Sequence, residues 1–331
     1  MVFAPYTTQP RRDMKAVTIH EFGGPEVLQV EEVKKPLPRD NEVLIEVHAS
    51  SLNPVDAKSI EKDSYYRSQM HLPTTLGMDV AGVVEMVGDK VKHIQVGDRV
   101  FGQASVLREG SGAFAEYAVT AEDSVAVMPE CLGFLEAAAV PLAATSAYEA
   151  IFEHMKLQAG QRVLIHGGSG GIGSFAIQLA KHAGAYVAAT ASGDGVKFVE
   201  SLGADEVIDY RKDAFEWKLR NYDAVLDTVG GGIYNQSFHV LKREGIIVSM
   251  LMKPDESAMR QFGVRAVLEM TRIDRRVLTK VAKLIDEGVL KVHISAIYAL
   301  TEAKEAYRAK DKHQVLGKIA IDVKQGNYVS G

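Results

Sequence analysis

The chain has 331 residues, enough for about two domains of ordinary size, each with its own core, which excludes a mini-protein held together by staples. Its 47% hydrophobic and 24% charged residues are those of a globular protein; 38 Lys and Arg against 43 Asp and Glu leave a net charge of −5, with no basic block to attract nucleic acid or an anionic bilayer. A single cysteine, Cys131, excludes an intrachain disulfide and any zinc site built on two or four cysteines.

Residues 1–13 precede the first periodic run and read as a loose N-terminal extension. From there to about residue 132 the text consists of short β-type runs, MKAVTIH, EVLQVEEV, NEVLIEVHASSL, VAGVVEMVG, DRVFG and FAEYAVT, punctuated by Gly, Pro, Asn and Asp. This predicts a β-rich domain over 1–132. The pattern then changes to helix alternating with apolar strand, which predicts a doubly wound parallel sheet over 133–293. It opens with a helical stretch from Phe134 to His154. Strands are expected at Arg162–His166, Tyr186–Ala189, Glu206–Asp209, Ala224–Asp227 and Gly245–Ser249, with helices such as Ser174–Ala183 and Asp274–Glu287 among them. The remaining segment, 294–331, holds a helix from near Thr301 and a strand Lys318–Val323, and could finish either domain. The longest apolar runs are broken well before the roughly 18–20 residues of a membrane span, and no signal-peptide core follows the start, so a cytoplasmic protein is expected.

The strand RVLIH runs into Gly167-Gly168-Ser169-Gly170-Gly171-Ile172-Gly173 and then a helix. Gly168, Gly170 and Gly173 fit GxGxxG in its proper strand-to-helix context. The first glycine allows the tight turn, the second lets a pyrophosphate approach the backbone, and the third lets the helix pack on the strand. The phosphates would lie at the positive end of the helix dipole. A carboxylate that would bond the adenosine ribose of NAD is expected at the end of the second strand, where this chain has Ala191 and then Ser192. Without that acid a 2′-phosphate is not repelled, which favours NADPH. Lys197 and Arg211 are nearby cations that could pair with it, Lys197 being the better placed, and Asp194 would have to point away.

The segments MKAVTIHEFGGPEVLQVEEV, SLNPVDAK, LGMDVAGVVEMVG, VGDRVFG, GAFAEYAVT, AAAVPLAATSAYEAI, VLIHGGSGGIGSFAIQLAK, SLGADEVIDY, YDAVLDTVGG and LGKIAIDV, in this order over residues 14–324, resemble the zinc-free quinone oxidoreductase and enone reductase branch of the medium-chain dehydrogenase/reductase superfamily. The resemblance implies an α/β protein. A GroES-like β-rich catalytic domain would be interrupted in sequence by a Rossmann domain, with 294–331 returning to the first. It implies an NADP-dependent enzyme, commonly a homodimer, acting on a small molecule with neither nucleic acid nor membrane as partner. Where zinc-bearing members hold catalytic zinc with cysteine, histidine and cysteine, this chain has the segment Asn53-Pro54-Val55-Asp56, then Met78, then Leu142. The structural-zinc cysteines are missing too, so no metal is expected.

Without zinc the reduced carbon must already be electrophilic, as in a quinone or an α,β-unsaturated carbonyl. Negative charge then develops on the carbonyl oxygen, which a hydrogen-bond donor should face. The resemblance offers Asn53 as that donor. It offers Lys58, Tyr65 and Tyr66 as candidate acids, each of which could equally be an ordinary surface residue. On the cofactor side it implies Thr145 near the nicotinamide and Ser169, Gly170, Gly171 and Ile172 in the pyrophosphate turn. Ser192 and Tyr210 fall at the adenosine end and Val229 and Gly230 at the end of the fourth strand. Leu251 and the segment Phe262 to Val264 would form loops over the nicotinamide, and Lys318 would start the returning strand. Two alternatives stay open: an enoyl thioester reductase, and a cofactor-binding structural or RNA-binding relative.

Overall fold

The computed structural model describes residues 13–312 and 315–325. Residues 1–12 of the expected extension lie outside this range, and Asp13 already belongs to the first strand, Asp13–Ile19, paired antiparallel with Gln29–Lys34.

The β-rich part is organised around the long strand Glu42–Leu52. It pairs antiparallel with Asp79–Val87 and Tyr117–Ala121, and the sheet continues through Arg99–Gln103 to Val125–Val127. Nearly every residue of Glu42–Leu52 is buried, as expected of a strand covered on both faces. On the edge shared with Tyr117–Ala121, its second half accepts Lys318–Asp322 antiparallel, with Ile319 opposite Leu52, and that strand pairs in parallel with Ile294–Ala299. The last described strands therefore belong to the same seven-stranded sheet as Glu42–Leu52.

Between them lies a six-stranded, all-parallel sheet. Its spatial order is Glu206–Asp209, Tyr186–Ala191, Arg162–Ile165, Tyr222–Asp227, Leu241–Ser249 and Arg265–Leu268. In chain order this is 3-2-1-4-5-6, a Rossmann sheet whose order reverses at Arg162–Ile165, the strand that feeds the glycine-rich turn. The molecule is thus an α/β protein with a GroES-like β domain and a Rossmann domain. One apolar core joins them: Ala49, Ala81 and Phe101 of the antiparallel sheet pack in the same cluster as Ala143, Ala147 and Ile165.

The expected helix Phe134–His154 is three pieces. Phe134–Ala138 stops before Pro141, which cannot donate within a helix and starts the next one, Pro141–Tyr148; a π-helical turn, Glu149–His154, follows. Arg265–Leu268 and Ile294–Ala299 give no strand signal in the sequence. Both lie at sheet edges with half-exposed side chains, so their hydrophobic pattern is weak. Among the described residues no helix is long and apolar enough to cross a membrane.

Candidate active site

The glycine-rich turn opens the helix Gly171–His182, and its glycines divide the mechanical work differently from expectation. The left-handed position is Gly167, at φ +69°, where a Cβ would come within 2.4 Å of Thr228 Oγ1. Gly168 instead serves packing, its missing Cβ leaving room for Ala189, Ile177 and Val199. Gly173 lets the helix sit on the turn: a Cβ there would lie 2.2 Å from the Gly167 carbonyl oxygen. Gly170 is different. Its φ of −80° suits any residue, and the nearest atom to a Cβ would be the Gly167 oxygen at 3.4 Å. Nothing in the protein needs Gly170 to lack a side chain, so the space above it is open to a group approaching the helix N-terminus. Ser169 and Ile172 complete the turn, and Ile172 packs against the main core.

Ahead of this turn, Thr145 in the helix Pro141–Tyr148 is fully buried, and its hydroxyl has no hydrogen-bond partner among the described residues. Its neighbour Ser146 is satisfied, donating to the Leu142 carbonyl and contacting the Thr271 hydroxyl at 2.7 Å. An orphaned buried hydroxyl costs about 1–3 kcal/mol, which a ligand amide or ribose can offset. At the carboxyl ends of neighbouring strands, Val229, Leu251 and Met270 expose apolar side chains. Gly230 sits against Leu251, and Asp227 fixes the bend by accepting from the Val229 and Gly230 amides and from Ser249 Oγ. Open turn, orphaned hydroxyl and apolar shelf together fit a dinucleotide.

At the far end of the sheet Ala191 closes its strand, and Ser192 donates to the Tyr210 hydroxyl at 2.8 Å. Lys197 and Arg211 are exposed close by in the chain, on the helix Asp194–Ser201 and just past Tyr210. In the segment Phe262 to Val264 only Gly263 and Val264 lie in a connection, a short one between the helix Glu256–Phe262 and the strand Arg265–Leu268. Phe262 ends the helix Glu256–Phe262 against Phe238 and His239, and Val264 is buried in the core with Phe215 and Tyr222. Their side chains fill the space under one face of the sheet, the ordinary task of apolar residues there.

Asn53 ends the central antiparallel strand and caps the helix Pro54–Ile60, where Pro54 takes the first position and the Asp56 carboxylate accepts the Asn53 backbone N–H at 2.8 Å. The Asn53 side chain is buried, Nδ2 donating to Asp79 Oδ2 at 2.8 Å. Asp79 also accepts from Ser51 Oγ and, through Oδ1, from the Leu142 amide at 3.0 Å. Asn53 and Leu142 thus converge on Asp79, which follows Met78 in the chain. The cation beside it is Lys318, whose Nζ lies 3.5 Å from Asp79 Oδ2, 3.1 Å from the Leu52 carbonyl and in a short contact with Asn53 Oδ1. Burial lowers the Lys318 amine from its ordinary value, with Asp79 and Asp56 opposing. Burial likewise pushes the Asp56 carboxyl up to about 7, against the Asn53 hydrogen bond that holds it down. The Lys318 stem passes beside Gly171 of the glycine turn, and its amine is held in this polar knot.

Lys58 is exposed in the last turn of the short helix, Tyr65 is 80% exposed, and Tyr66 is half-buried with its ring edge-on to Tyr65. No hydrogen bond ties any of these three polar tips to Asn53. Sequence reasoning missed Asp79 and Asp227. Asp79 opens and Asp227 closes a buried apolar strand, and an acid at such a position must find donors once the strand is buried.

A Rossmann sheet with an open glycine turn, set against a GroES-like domain, is the architecture of the medium-chain dehydrogenase/reductase superfamily, and the chain belongs to it. Residues 39–130 match the alcohol dehydrogenase GroES-like domain and residues 202–321 the zinc-binding dehydrogenase family. The NADPH-dependent alkenal/one oxidoreductase of Arabidopsis thaliana chloroplasts is 34% identical over 319 residues, covering 94% of this chain and 80% of that protein. The structure of a quinone oxidoreductase from Coxiella burnetii superposes with a TM-score of 0.89 at 35% identity, over 95% of this chain and all of that one. The Escherichia coli quinone oxidoreductase solved in complex with NADPH gives 0.82 at 28% identity, over 93% and 100%.

Proposed function

We propose that this protein is an NADPH-dependent reductase of quinones or α,β-unsaturated carbonyls that works without zinc. The observation that carries the reading is the donor set around Asp79. Where zinc-bearing members place thiolates and an imidazole, Asn53, Met78 and Leu142 bring no thiolate or imidazole, and a buried ammonium stands 3.5 Å from the Asp79 carboxylate that Asn53 and the Leu142 amide share. A divalent cation would find no thiolate and no imidazole, and one carboxylate already paired with that ammonium. The family's zinc-binding description does not fit the residues here.

When bound, NADPH supplies a hydride to the electrophilic carbon. The chain's own residues do the rest. The open backbone at Gly170 takes the pyrophosphate, Thr145 offers its unpaired hydroxyl to the nicotinamide end, and Val229 and Leu251 give the ring an apolar seat. Ser192, Lys197 and Tyr210 sit where a 2′-phosphate would be read, and Ala191 brings no charge against it. Asn53 retains one amide hydrogen for the oxygen on which negative charge gathers. Lys58, Tyr65 and Tyr66 are the candidates to return the proton from the solvent side. The edge strand Arg265–Leu268, paired on one side only among the described residues, is where a second copy would add its own edge to form a homodimer.

Following NADPH absorbance with a quinone, an enone and an enoyl thioester tests the reading. Turnover of the first two is expected. Turnover of the thioester alone would transfer the protein to the enoyl thioester reductases, and none with any of the three would make it a binding protein. Lys58→Met, Tyr65→Phe and Tyr66→Phe, measured separately, identify the proton donor. Three unchanged rates would remove all three.

A further inference from the structure

The knot around Lys318 does more than hold the fold. Its ammonium, 4% exposed, grips the Asn53 carboxamide by its oxygen while Asp79 holds one of the amide hydrogens. A carboxamide gripped this way cannot flip: its oxygen is committed to a cation, and an N–H is all that it can offer elsewhere. The same lysine reaches the other domain. Its Cδ lies 2.9 Å from where a Gly171 Cβ would stand, and the residue before it, Gly317, donates from its amide to the Ser169 carbonyl at 2.8 Å. Asp79 in turn holds the Leu142 amide in the first turn of the helix that carries Thr145. The remaining charged group here is Asp56, on the Asn53 backbone, with the buried Tyr307 ring near it.

We propose that Lys318 is a positioning residue: it locks Asn53 as a hydrogen-bond donor toward the substrate oxygen and ties that donor to the glycine-rich turn. This rests on the reductase reading and adds to it a residue that acts through Asn53. The arrangement explains why a lysine is buried at all. A buried charge is retained at a net cost unless the geometry it enforces is used, and the geometry enforced here is the orientation of Asn53 relative to the turn.

The test uses the full chain with Lys318→Met, Lys318→Arg, and the double variant Lys318→Met/Asp79→Asn. The double variant removes Lys318 together with the carboxylate it pairs with, leaving Asp56 as the buried acid, and keeps the measurement possible if Lys318→Met fails to fold. Asp79→Asn alone is its reference. Relative to that reference, the double variant should lose about tenfold or more in kcat with a quinone or enone while its NADPH affinity stays within about threefold. Lys318→Arg should recover part of the rate. The Asn53 carboxamide signals in a 1H–15N spectrum should shift and exchange faster in both methionine variants. Equal kcat in the double variant and its reference, a loss confined to NADPH affinity, or unmoved Asn53 signals would each overturn the proposal. Should the wild type reduce neither substrate class, the reductase reading fails, and the Asn53 signals still decide whether Lys318 holds that side chain.

Discussion

The Gly317 amide donates to the Ser169 carbonyl at 2.8 Å, so the turn shaped for a pyrophosphate is stitched to the strand that completes the antiparallel sheet. Gly170 and Gly317 form a parallel bridge at the same point. A ligand on the glycine turn is therefore one short segment away from Lys318 and Asn53. The domains meet here through backbone as well as through their shared core.

Gly317 has φ +70°, and a Cβ on it would lie 2.3 Å from the His293 carbonyl oxygen. Gly317→Val should therefore destabilise the protein by about 2 kcal/mol or more, combining left-handed strain with a backbone clash. It should also weaken NADPH binding by loosening Ser169. Thermal unfolding with a parallel NADPH titration checks both, and a variant with wild-type melting and affinity would show that the stitch is dispensable.

Gly170 and Gly173 should separate binding from folding. Gly170→Val meets no atom closer than the Gly167 oxygen at 3.4 Å from its Cβ, so the fold should survive while NADPH affinity falls at least tenfold, about 1.4 kcal/mol. Gly173→Val puts a Cβ 2.2 Å from the Gly167 oxygen and should lower the melting temperature as well. Fluorescence titration beside circular dichroism distinguishes the two, and retained binding in a folded Gly170→Val would mean that no phosphate crosses this turn.

At the adenosine end, Lys197→Ala should weaken NADPH several-fold, about 1 kcal/mol, and leave NADH unchanged, because only the 2′-phosphate can use that ammonium. Ala191→Asp should move the preference toward NADH. Equal affinities of the wild-type protein for the two cofactors would contradict the reading of this strand end.

A pH effect on stability should come from Glu149. Burial first, then the carboxylate of Glu269 beside it, pushes the Glu149 carboxyl up to about 8, while Glu269 is also held in a short contact by His154. In the unfolded chain Glu149 would lose its proton near the usual carboxylate value, so between about pH 4.5 and 8 the folded state binds the extra proton. Its contribution is present in full below that window and fades as pH rises through 8. Glu149→Gln keeps the neutral shape and removes the titration. Compared with wild type, the variant should show little difference near pH 5 and a melting temperature higher by about 2 °C or more near pH 9. A difference that does not change with pH would mean that Glu149 is ionised in the folded protein.

Much of this molecule was legible before folding. Strands such as Glu42–Leu52 and Glu206–Asp209, and the helix Arg275–Asp286 with its Asp274 cap, announce themselves because their apolar periodicity and punctuation are local properties. The glycine motif was legible for the same reason, although the left-handed position proved to be Gly167 and not Gly168. That Phe262 packs on Phe238 was not legible, because a phenylalanine in the core and one over a cofactor look alike in a sequence.

What the sequence determined by itself was the alternation of elements, the open turn, the missing acid at Ala191 and the missing ligands at Asn53, Met78 and Leu142, all fixed by residue type and short-range order. Only the tertiary structure decided that Asn53 and Leu142 meet at Asp79, that Lys318, 265 residues beyond Asn53, supplies the cation there, and that Thr145 has no partner for its hydroxyl among the described residues. Contacts of that separation arise when the last strand returns to the first sheet, and which buried polar group faces which is settled by how the two sheets pack, not by local sequence.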